Sequence, residues 1–90
     1  MRQTVEVEVF GQALAVASED GEEHLRRVAA EVDQRMRTAA AATRSASSLA
    51  VAVVTALNIA SEYQKLKTEH AQMQEAIDRL AARLKKALVS

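Results

Sequence analysis

Cysteine, proline and tryptophan are absent from this chain of 90 residues, glycine occurs twice, and tyrosine and phenylalanine once each. Without cysteine there is no disulfide, no thiolate metal site and no thiol nucleophile, and the redox compartment is left open. Two glycines cannot build a glycine-rich phosphate loop, and two distant histidines, His24 and His70, make no ligand pair. Two aromatic rings offer no stacking surface for nucleic-acid bases. Charge of a prevailing sign is missing as well: 12 basic residues balance 12 acidic ones, so no strong field favours nucleic acid or anionic lipid. No apolar run reaches the roughly 18 residues of a membrane span, because Thr55 and Asn58 interrupt the best one. The opening MRQTVEVEVF alternates glutamates where a signal peptide needs an apolar core. These absences predict a soluble cytoplasmic protein with no cofactor, no metal, no catalytic residue and no membrane or nucleic-acid partner.

What is present is helix-forming: Ala, Leu, Glu, Lys, Arg and Gln dominate, and the lack of proline permits long uninterrupted helices. The first segment is the exception. From Thr4 to Phe10, Val5, Val7 and Val9 alternate with Glu6 and Glu8, the period of a half-buried strand. Gly11-Gln12 then fits a two-residue turn, and Ala13 to Ala17 reads as the returning strand. Asp20 with Glu23 three residues on has the form of a capping box for a helix. In that helix Leu25, Val28, Ala29, Val32, Met36 and Ala39 recur at steps of three and four, a stripe that fits the valine face of the hairpin. Short polar residues in TRSASS predict a break between Thr43 and Ser48, with Ser47 or Ser48 capping the next helix.

That second helix is predicted from about Leu49 to Leu88, a rod of about 60 Å at 1.5 Å per residue. A head of some 44 residues is too small to cover it, so most of its apolar face needs another chain. Tyr63, His70, Ile77 and Leu84 fall at heptad position a, with Leu66, Met73, Leu80 and Ala87 at d. Leu57 and Ile59 precede this seam in a stretch apolar on nearly all sides. Small alanines at e and g toward the C-terminus favour a four-helix or antiparallel arrangement over a simple dimer. The resulting expectation is an α+β fold: a small β-hairpin plus helix head over 1–46, then a long C-terminal helix over 47–90 that forms an oligomeric coiled coil. The interface residues are Leu57, Ile59, Tyr63, Leu66, His70, Met73, Ile77, Leu80 and Leu84.

Individual polar residues admit two readings. His24 beside Glu22 and Glu23 lacks a second histidine or an orienting group, so an exposed first-turn residue accounts for it better than a metal ligand or base. His70 at position a could make the oligomer pH-sensitive, because an imidazolium is costly to bury, or could be a polar core residue that fixes register; the second is the simpler reading. Arg26, Arg27, Arg35, Arg37 and Arg44 gather on the first helix, either as a patch for carboxylates of a protein partner or as a solvated face.

The order of these parts resembles the ZapA family of bacterial cell-division proteins. The resemblance rests on VEVEVFGQALAV at the hairpin, LRRVAAEVDQRM in the first helix, TR before the break and TALNIASEY leading into the coiled coil, and covers about Val5 to Tyr63. It implies dimers joined through heads and helices, and two dimers meeting through the coiled coil as an elongated homotetramer. Family members bind the tubulin-like protein FtsZ at midcell and bundle its filaments; in some bacteria they also bridge to the coiled-coil protein ZapB. The likeness carries a filament contact onto Arg44, with Gln12, Arg26 and Arg27 as further head positions. Gln12 departs from the family, which often has a basic residue after the turn glycine, and so do Leu49 and Ala50, where charged or amide groups are familiar. The implied function is a non-enzymatic adaptor that cross-links FtsZ filaments at the midcell division site. A generic coiled-coil scaffold for another protein partner is the alternative reading.

Overall fold

A computed structural model describes residues 3–44 and 47–89, with the side chain of Gln3 outside the description. The elements run β1 (Gln3–Val9), β2 (Gln12–Ser18), α1 (Glu22–Thr43) and α2 (Ser48–Val89). This is the expected hairpin, helix and long helix. The centre of the predicted break, at residues 45 and 46, lies outside the described residues.

The strands pair antiparallel with Val5 opposite Val16 and Val7 opposite Leu14. The turn is one residue earlier than the glycine position suggests. Phe10 and Gly11 are its central residues, with φ of 50° and 78°, the two positive values a type I′ turn requires. Gln12 is therefore the first residue of β2, opposite Val9. Glycine takes its φ freely, whereas a side chain there costs about 1 kcal/mol. Phe10 is retained because its ring packs beside the cluster of Met36, Ala39 and Val51.

The capping box does not form. Gly21 occupies the N-cap of α1 at φ 93°, without a side-chain hydrogen bond, and Asp20 instead donates its amide to Ser18 Oγ at 3.1 Å. Helix α1 ends at Arg44, which adopts the left-handed conformation (φ 55°, ψ 20°) and donates its amide to the Ala40 carbonyl. The cap of α2 is the expected one: Ser47 Oγ accepts the Ala50 amide at 3.2 Å.

The chain divides into two compact units, residues 1–57 and 58–90. In the first, Val5 and Val7 meet Ala29 and Leu25 of α1, and a second cluster joins Met36 and Ala39 to Val51 at the start of α2. Val51 is 1% exposed, and Thr55, 3% exposed, donates its hydroxyl to the Val51 carbonyl at 2.8 Å. That bond lets a polar residue sit in an apolar layer without an orphaned group. In the second unit helix is the only described structure, and no described residue is buried. No single helix among the described residues is long and apolar enough to cross a membrane.

Candidate interaction surfaces

The head holds its turn through one carboxylate. Phe10 donates its amide to Asp33 Oδ1 at 2.7 Å, and Arg37 Nε donates to Asp33 Oδ2 at 2.9 Å. Asp33 thereby links the hairpin tip to α1, 23 residues away in the chain. The Arg37 guanidinium, and after it the Phe10 amide, hold the Asp33 carboxyl below its ordinary range, while Asp33 raises the Arg37 value in return. In the sequence Asp33 looks like one more solvated charge, since nothing local signals a bond to a distant turn.

The arginines of α1 are mostly engaged on their own helix. Arg26 lies 2.8 Å from Glu22, Arg35 3.2 Å from Glu31, Arg37 2.9 Å from Asp33, and Arg27 a looser 4.0 Å from Glu23. Each carboxylate precedes its arginine by four residues, the spacing that faces one side of a helix. Arg26 also donates from Nη1 to the Glu6 carbonyl of β1 at 3.3 Å. Both Arg26 and Arg27 are exposed. Arg44 is exposed too, and its guanidinium has no ion pair among the described residues. Gln12 lines a groove of about 360 Å³ together with Phe10, Leu14, Met36, Leu49 and Ala52.

On α2 the predicted seam residues Leu57, Tyr63, Leu66, Met73, Ile77, Leu80 and Leu84 are 52–65% exposed. His70 is exposed and Ile59 half-buried. Lys67 Nζ stands 5.8 Å from the Tyr63 ring centroid, a cation–π contact one turn along the helix. Among the described residues no three metal-binding side chains converge.

The family model "Cell division protein ZapA" matches residues 5–88. This chain belongs to the ZapA family. The cell division protein ZapA of Bacillus mycoides is 38% identical over 73 residues, which is 81% of this chain and 82% of that one. ZapA of Geobacillus thermodenitrificans is 38% identical over 82 residues, 91% of this chain and 82% of its own length. Among solved structures, a "ZapA mutant dimer from Geobacillus stearothermophilus" matches with a TM-score of 0.71 at 33% identity, covering 87% of this chain and 91% of that one. The ZapA match extends through α2 to residue 88, beyond the stretch whose motifs carry the resemblance. The family model and these relatives are all described as cell-division proteins.

Proposed function

We propose that this protein is a cytoplasmic adaptor that self-associates through α2, binds FtsZ through its head and cross-links FtsZ filaments at the midcell Z-ring. The observation that carries this reading is the ZapA family match over residues 5–88, which takes in both the head and the heptad helix. In functional terms residues 1–46 bind and residues 47–90 assemble. The exposed seam from Leu57 to Leu84 is of the kind that a second copy covers, and the matched relative was solved as a dimer. A homodimer that pairs further into a homotetramer carries several heads, so weak single contacts add up through multivalency. ZapB is a second partner that family membership suggests.

Arg44 is the principal contact on the head, with Gln12, Arg26 and Arg27 around it. A left-handed helix end favours glycine, and a side chain there costs about 1 kcal/mol. Keeping arginine with an unpaired guanidinium fits a recognition role for that charge. The test is sedimentation with FtsZ and GTP. Wild type should pellet with the polymer, and less as salt rises. Arg44→Glu should keep the oligomer and weaken binding by about tenfold or more. Unchanged co-sedimentation of Arg44→Glu would remove Arg44 from the contact, and a wild-type oligomer that ignores FtsZ would favour a scaffold for another partner.

A further inference from the structure

Of the seam residues from Leu57 to Leu84, only His70 changes charge between pH 5 and 8. Its surroundings on α2 give the protonated form no help. Arg26, Arg27, Arg35 and Arg37 of α1 each lie within 4.0 Å of a carboxylate four residues earlier. Four residues before His70 stands Leu66, and three before it stands Lys67; three and four after it stand Met73 and Gln74. No carboxylate therefore lies one turn from His70 in either direction. Lys67 already places a cation beside the seam, with its Nζ 5.8 Å from the ring centroid of Tyr63, the preceding a residue. In the single chain His70 is exposed, so water solvates the imidazole in either form. Its seam neighbours Leu66 and Met73 are more than half exposed as well, and whatever covers them covers His70 too.

We propose that His70 makes the α2 assembly responsive to pH: the neutral imidazole completes the seam, and its protonation in the weakly acidic range loosens it. The proposal rests on the self-association reading above. It is compatible with a register-fixing role, because a neutral imidazole is a tolerable polar core group and an imidazolium is not. The charged residues at the e and g positions that border the seam are Glu62, Lys67, Glu69 and Arg83. In a parallel pair His70 of the partner subunit shares the same layer, and the partner subunit's Glu69 stands at its rim. That carboxylate favours the imidazolium, but an exposed rim pair is worth at most about fivefold in an equilibrium constant. Desolvating an imidazolium beside a second one opposes assembly by about tenfold or more, so loosening wins. In an antiparallel pair position a meets apolar d residues, with one of the same four charges at the rim, and the desolvation cost stands. Separate chains accept the proton near pH 6.5, whereas the closed seam resists it. The assembly is thus at full strength above about pH 7 and weakens as pH falls below about 6.5.

The chain's composition makes the test clean, since its only other histidine is His24, exposed in the first turn of α1. Sedimentation equilibrium of the full-length protein at pH 7.5 and about pH 5.5, at one ionic strength, gives the association constant at each. Wild type should weaken by about tenfold or more between the two. His70→Leu should assemble tightly at both and change by less than about threefold. His70→Asn keeps a polar group at position a without a titrating one, so it should be weaker than His70→Leu yet equally indifferent to pH. His24→Gln should keep the full wild-type response. Circular dichroism at both pH values confirms that each variant folds. A wild-type oligomer whose association constant does not change with pH, or a response that survives in His70→Leu and His70→Asn, would overturn the switch and leave self-association standing. Tighter assembly of wild type at the lower pH would overturn it too, by showing that a carboxylate captures the imidazolium. A monomer at pH 7.5 would overturn both the switch and the self-association on which it rests.

Discussion

Residues 3–57 and residues 58–89 are built from similar apolar side chains and meet opposite fates. In the first region Val5, Val7, Met36, Ala39 and Val51 are buried by other parts of the same chain. In the second, Leu66, Met73, Leu80 and Leu84 repeat at a helical period, yet each is more than half exposed. The difference is not hydrophobicity. It is whether the chain supplies a second layer, as the hairpin and α1 do for Val51 and no other described element does for Leu80. Helix α2 belongs to both regions, so one uninterrupted helix shows the two conditions within its own length.

The comparison is broken most severely by placing a charge in the distal stripe. Under the proposed assembly Ile77→Glu puts a carboxylate into every copy of the seam and should cost several kcal/mol per assembly. Sedimentation should show loss of the oligomer, and filament bundling should go with it, while the head stays folded. Met36→Ala does the converse. It opens a cavity in the head and should lower folding stability by about 2–4 kcal/mol in denaturant titration, without altering the seam residues.

The sequence made these two regions legible unequally. The alternation of Val5, Val7 and Val9 announced β1, the stripe from Leu25 to Ala39 announced the packed face of α1 except at Val28, which stays 43% exposed, and Ser47 announced the cap of α2. What escaped was set by groups far apart in the chain or by backbone conformation. The turn sits on Phe10 and Gly11 because Asp33, 23 residues on, secures the Phe10 amide and the ring has a cluster to rest on. Gly21, with its positive φ, takes the N-cap that Asp20 and Glu23 seemed to share. Thr55 reads in the sequence only as an interruption of an apolar run, yet it is among the most buried residues, its hydroxyl turned back onto its own helix. The arginines look like a patch because composition shows their number and not their pairing with carboxylates four residues earlier. The binding surface stays the least legible part, since recognition depends on the partner's shape as much as on this chain's residues.

Smaller effects sharpen the contrast. Ser47→Ala removes the cap where α2 joins the head and should cost about 1 kcal/mol of head stability, read as a modest drop in melting temperature. Smallest is the response to acid. Asp33 has its carboxyl held below its ordinary value in the folded head, so its contribution is fully present above the unfolded value of about 4 and is lost as pH falls through the lower, folded value. Melting curves should therefore show the head weakening below about pH 4, and Asp33→Asn should flatten that part of the profile.

Hydrogen exchange along α2 tests most directly whether the distal helix is completed by other copies. An isolated helix in water is marginal and its amides exchange readily. Wild-type protein at high concentration should protect the amides of 58–89, and dilution or Ile77→Glu should remove that protection while the segment around Val51 and Thr55 keeps much of its own. Equal protection of 58–89 in wild type and Ile77→Glu at every concentration would contradict the proposed seam.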